Sequence, residues 1–141
     1  MRTVNDWSVG PRSPSSERRG RRTTLLADAL RFQLDACRED EGLAAIVVSD
    51  ALGFCVAHSG GDGDHDDLAA RLPMMADPAQ RLRDAASDEP LLPSTEAVVV
   101  TTFTVPGATL HLGTIRGPQG RAASPATLDR VASGFSRLLA Q

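Results

Sequence analysis

Leu26, Leu30, Leu34 and Cys37 recur three or four residues apart, with Leu25 and Ala29 beside them. That spacing predicts an amphipathic helix over residues 24–40. Thr23 or Thr24 suits its start, and Gly42 suits a left-handed stop. The period then changes. Residues 44–49 and 54–58 are short runs of strand type on either side of Asp50-Ala51-Leu52-Gly53, which predicts a β-hairpin. Helical spacing returns at Leu68, Leu72 and Met75, with Asp62 or Asp64 placed to cap the helix and Asp66 and Asp67 in its first turn. Pro73 cannot donate an interior hydrogen bond, so this helix is expected to kink or restart there, and Pro78 permits a second start. After the linker "SDEPLLPSTE", residues 97–105 and 109–115 form a second strand pair around Pro106-Gly107. Ser124 and Pro125 then open a last helix whose apolar stripe is Leu128, Val131, Phe135 and Leu138. Two hairpins separated by helices predict an α+β fold, a single antiparallel β-sheet flanked by helices.

Residues 1–22 lack this periodicity and are rich in Arg, Ser, Pro and Gly, so they are expected to form a disordered arm before a domain at 23–141. The chain has 141 residues, enough for one core without staples. All fifteen basic residues are arginine, which excludes Schiff-base and P-loop lysine chemistry. Residues 1–24 hold six Arg against Asp6 and Glu17, a net charge of +4, whereas residues 25–141 hold nine Arg against sixteen acids, a net of −7. An acidic domain in a chain whose only aromatics are Trp7 and four Phe, with no Tyr, is a poor nucleic-acid platform. The arginine pairs before residue 24 resemble a twin-arginine export signal. The stretch that follows carries Asp28, Arg31 and Asp35, which no export h-region tolerates. With no apolar run long enough to span a bilayer, a cytoplasmic protein is expected.

The segment "DGDHDD" (62–67) begins like a calcium loop, but Asp67 and Pro73 stand where such a loop needs Gly and Glu. It reads as a helix start, and no metal site is expected. Cys37 and Cys55 have no metal-ligand spacing. Two reduced thiols are favoured over a single disulfide. His58 and Ser59 are neighbours on a strand and point to opposite faces, so they do not form a base–nucleophile pair unaided. His111, between Leu110 and Leu112, is expected to face solvent or a partner. No phosphate-binding glycine motif is present. The expectation is a non-enzymatic chain with no cofactor.

The stretch "LLADALRFQLDACREDEGLAAIVVSDALGFCVAHSGGDGDHDDLAARLPMM" resembles the front half of the roadblock/dynein light-chain family, in the manner of a bacterial-type member. The likeness lies in the order of helix, strand–turn–strand with Asp50 and Gly53 in the turn, and a polar loop into "DLAARL". "AVVVTTFTVPGATLHLGTIRG" and the last helix match the back half loosely. Family members often have five strands where four are legible here, and their second helix is usually not interrupted by prolines. The resemblance implies a scaffold that dimerises and acts on small Ras-like GTPases or signalling partners. It places the dimer surface at Leu68, Leu72 and Met75 on the second helix and at Val98, Val100 and Thr102 on the long strand, with Arg71 nearby. The alternative for those apolar residues is the chain's own core, since periodicity does not separate a core from an interface. The alternative function is a small-ligand-binding sensory domain of profilin-like architecture.

Overall fold

The computed structural model describes residues 14–61, 63–120 and 122–140, with side chains from residue 25 onward. Its elements are α1 (Pro14–Glu41), β1 (Ala45–Asp50), β2 (Cys55–Gly60), α2 (His65–Met75), α3 (Pro78–Ala85), β3 (Val98–Val105), β4 (Ala108–Ile115) and α4 (Pro125–Leu139). The fold is α+β. The four strands form one antiparallel sheet in the order β2-β1-β4-β3.

Helix α1 starts at Pro14, ten residues before the expected start at residue 24. Residues 14–22 of the expected arm are therefore helix, and residues 1–13 lie outside the described residues. Arg and Glu are good helix formers without needing a face to bury, so helix continues where the hydrophobic signal stops.

The β1–β2 turn forms because the Asp50 carboxylate accepts from the backbone N–H of Leu52 at 2.9 Å and of Phe54 at 3.0 Å. Gly53 completes it at a φ of +91°, a conformation that L side chains rarely adopt.

Two layers cover the sheet. On one face, Leu30, Leu34 and Cys37 of α1 and Val131 and Phe135 of α4 pack over Ile46, Val48, Leu110 and Leu112. On the other face, Ala69, Leu72 and Met75 of α2 pack over Val47 and Val98. The close seat of α2 depends on Gly113, where a Cβ would come within 2.6 Å of Leu72 Cδ2. Because β1 and β4 are central and covered on both sides, their residues are buried almost continuously. That corrects the expectation for His111. It is buried, 9% exposed, and its Nδ1 lies 2.9 Å from Thr102 Oγ1.

Pro73 neither ends nor restarts α2, which runs on to Met75. The restart falls at Pro78, capped by Asp77, whose side chain accepts from Ala79 N.

Candidate interaction face

Helix α2 seats over β1, β2 and β4, and the start of strand β3 reaches its apolar cluster through Val98 and Val100. In the strand order, β3 pairs with β4 alone, and no described strand lies on its other side. Unpaired backbone donors and acceptors on such an edge are a template for another chain.

The α2 start is built as its sequence predicts, with one difference. Asp64 occupies the N-cap position, but its side chain makes no capping hydrogen bond. Asp62 lies outside the described residues. Asp66 and Asp67 sit in the first turn, where their charge opposes the helix dipole. Asp67 pairs with Arg71 one turn on, at 3.4 Å. Arg71 also reaches the Leu91 carbonyl at 3.4 Å.

Two residues that sequence reasoning overlooked hold the linker before β3. Arg81 donates to the carbonyls of Met75 at 3.2 Å and Pro93 at 2.9 Å. The Asp84 carboxylate accepts from the backbone N–H of Leu91 at 2.8 Å and of Leu92 at 3.2 Å. Their signal was an Arg and an Asp on a short helix directly before a proline-rich linker, where backbone groups lack strand partners.

The seven expected interface residues separate by depth. Leu72 (0% exposed), Met75 (4%) and Val98 (5%) are buried within the chain. Leu68, Arg71 and Val100 are half-buried, and Thr102 is exposed. Leu68 and Val100 pack against the α2 core cluster from its open side. Leu68, Arg71 and Val98, with Val47, Pro93 and Ile115, also line a cavity of about 360 Å³ between α2 and the start of β3.

Near this cavity, His65 at the α2 start stacks on His58 of β2, ring centroids 3.6 Å apart and planes within 7°. His58 Nδ1 is buried without a hydrogen-bond partner. Burial, then the neighbouring His65, holds the His58 imidazole below the ordinary histidine range, with Arg31 acting the same way and Asp66 and Asp35 opposing. Burial does the same to His111, against Asp50. Both rings thus bind protons less readily folded than unfolded. Their contribution to stability is fully present above the ordinary histidine value, about 6.5, and is lost as pH falls below it toward the depressed folded values. The urea midpoint is expected to drop between pH 7.5 and pH 5.5, and His58→Gln is expected to flatten that drop. Titrating the midpoint of both proteins checks it.

Among the described residues, no group of three or more His, Cys, Asp or Glu side chains gathers where it could hold a metal ion. Cys37 and Cys55 are free thiols in different core clusters, and burial raises both. No described helix is long and apolar enough to cross a membrane.

No protein-family model and no curated protein matches the chain. Solved structures do. The gliding protein MglB from Thermus thermophilus is 15% identical, with a TM-score of 0.55 over 80% of this chain and 90% of that one. Myxococcus xanthus MglB is 11% identical, with a TM-score of 0.52 over 80% and 89%. An MglB with a tetrameric arrangement is 16% identical, with a TM-score of 0.53 over the same shares. At these identities the likeness is one of fold, and the fold of this chain is the roadblock type that its sequence resembles.

Proposed function

We propose that this chain is a non-enzymatic regulatory scaffold that dimerises through the β3 edge and the flank of α2 and acts on a small Ras-like GTPase or comparable signalling partner in the cytoplasm. Residues 23–141 are the module, and the preceding residues are an appendage to it. One observation carries the reading. Among the described strands the sheet has two edges, β2 and β3, and at the β3 edge half-buried Val100 and exposed Thr102 are joined by half-buried Leu68 of α2. An isologous pairing of two β3 strands would extend the sheet across a two-fold axis and close that edge. Leu72, Met75 and Val98 support this surface from beneath, while Leu68, Arg71, Val100 and Thr102 make the contact. The shared fold with MglB, one example of which has a tetrameric arrangement, supports an assembling module over a monomeric one. The GTPase class comes from the resemblance to the roadblock family.

The reading is tested at Thr102. Arginine there adds charge to the edge strand and removes only the bond to His111. Thr102→Arg is expected to weaken self-association at least tenfold while the far-UV spectrum is kept. Light scattering behind size-exclusion chromatography reads the mass. An unchanged mass sinks the β3 interface. Pull-down of small Ras-like GTPases from the source genome, loaded with GDP or a non-hydrolysable GTP analogue, tests the partner class, and binding that ignores the nucleotide counts against regulation.

The cavity favours a second reading, a small-ligand sensor. Its volume of about 360 Å³ falls at the lower end of small-molecule sites, which occupy roughly 300–1,000 Å³. A screen of small apolar acids and amines by thermal shift separates the two. A ligand that stabilises the monomer and leaves its mass unchanged favours the sensor.

A further inference from the structure

The first turn of α2 is held to the sheet by a ring contact where a cap would ordinarily hold it. Asp64, at the N-cap position, makes no capping bond. Gly63 before it stands at a φ of +99°, with open space where a Cβ would be. His65, the first residue of the helix, instead stacks on His58 of β2 with ring centroids 3.6 Å apart. Under this turn lies the cavity of about 360 Å³, lined by His65 and Leu68 from the helix and by Val47, Val98 and Ile115 from the sheet. The rest of α2 is anchored by depth, since Ala69 and Leu72 are fully buried and Met75 nearly so.

We propose that this turn, Asp64 to Leu68, is an acid-released lid on the cavity: protons taken up by the stacked His58 and His65 free it from β2 and open the cavity to solvent. Three features of the closed turn oppose those protons. A second proton on His58 would leave an N–H at Nδ1, which is buried without a partner. A cation on His65 sits at the positive end of the helix dipole. A proton on each ring sets two like charges 3.6 Å apart with no room for water between them. Opening places both rings in water and removes all three penalties together. The charged neighbours do not reverse this. Arg31 of α1 acts against a proton on His58, while Asp66 of α2 and Asp35 of α1 act for it. Asp66 also lies 3.7 Å from His65 Nε2, but its side chain is 83% exposed, so water screens its pull. Asp64 precedes His65 in the chain, and Asp67 is engaged by Arg71. From α1, Arg38 is engaged by Ser59. From β1, Val47 stands opposite His58 in the register and brings no charge.

Opening carries Leu68 off the sheet, so the cavity walls at Val47, Val98 and Ile115 meet solvent only in acid. Leu68 also belongs to the contact surface proposed above. On that reading acid loosens self-association as well, a consequence that rests on the α2–β3 contact, whereas the lid does not.

Amide hydrogen exchange of the full chain, corrected for the intrinsic rate at each pH, reads the lid. The Leu68 N–H donates to the Asp64 carbonyl at 3.1 Å and reports the turn, and the Val48 N–H reports the core. Between pH 7.5 and pH 5.5 the protection of Leu68 is expected to fall about tenfold more than that of Val48. That is the gain of an open His58 titrating near about 6.5 over a closed one that takes up no proton. His58→Phe keeps a ring on the stack and removes the unpartnered nitrogen, so it folds, and it is expected to abolish the excess. His65→Phe keeps the stack from the other side and is expected to reduce it. An excess unchanged in either variant, or protection that falls equally at Leu68 and Val48, overturns the lid. Light scattering at the two pH values reads self-association separately. Acid opening with the mass unchanged supports the lid and removes Leu68 from the contact.

Discussion

Replacing Phe135 with alanine is expected to destabilise the protein by about 3–5 kcal/mol, read as a lower urea midpoint at unchanged slope. The ring is 0% exposed. It stands where α4 crosses the sheet and meets Phe103 of β3 edge-on, with centroids 6.2 Å apart and planes at 82°. Truncation removes the transfer energy of the ring and leaves a cavity that helix and strand are not free to close. Phe103 loses its edge-to-face partner as well. Against a total stability of roughly 5–15 kcal/mol for a domain of this kind, that loss populates the unfolded state near 37 °C. Phe135→Leu keeps most of the volume and is expected to lose less than half as much. A loss of under 1 kcal/mol for alanine would mean that α4 is not a full member of the core.

Phe135 was legible in the sequence, as were the hairpins, because one-sided burial writes a period into the chain. The failures lie where burial is two-sided or absent. His111 alternates with leucines, which signals an exposed face only when one side of the strand is wet. Strand β4 is sandwiched between α1 and α4 on one side and α2 on the other, and its own Gly113 lets α2 sit closer still. The start of α1 was missed for the opposite reason, since a stretch of Arg, Ser and Gly has no hydrophobic period to read. At the candidate interface the sequence grouped seven residues that the fold separates into a buried set and a rim. The apolar period is the same for both. Depth depends on α2 seating over β1, β2 and β4 and leaving β3 less covered, a tertiary fact.

Glu41→Ala is expected to cost about 2–4 kcal/mol, more than a half-buried glutamate at a helix end ordinarily would. Glu41 is the last residue of α1, and its Oε1 accepts from Ser124 N at 3.1 Å, from Ser124 Oγ at 2.6 Å and from Thr127 Oγ1. Those groups form the first turn of α4, where Ser124 Oγ also accepts from Thr127 N at 3.2 Å. One carboxylate therefore satisfies donors at the N-terminus of a helix 83 residues away, with its charge set against the positive end of that helix. Alanine leaves those donors without the acceptor and removes the favourable charge. Glu41→Gln keeps the shape and one acceptor oxygen but not the charge, so it is expected to lose roughly half as much. Urea unfolding of Glu41→Ala, Ser124→Ala and the double variant closes a cycle, and a coupling energy of about 1–2 kcal/mol is expected between residues this closely bonded. Coupling near zero would show that Glu41 acts only through the general field of α1.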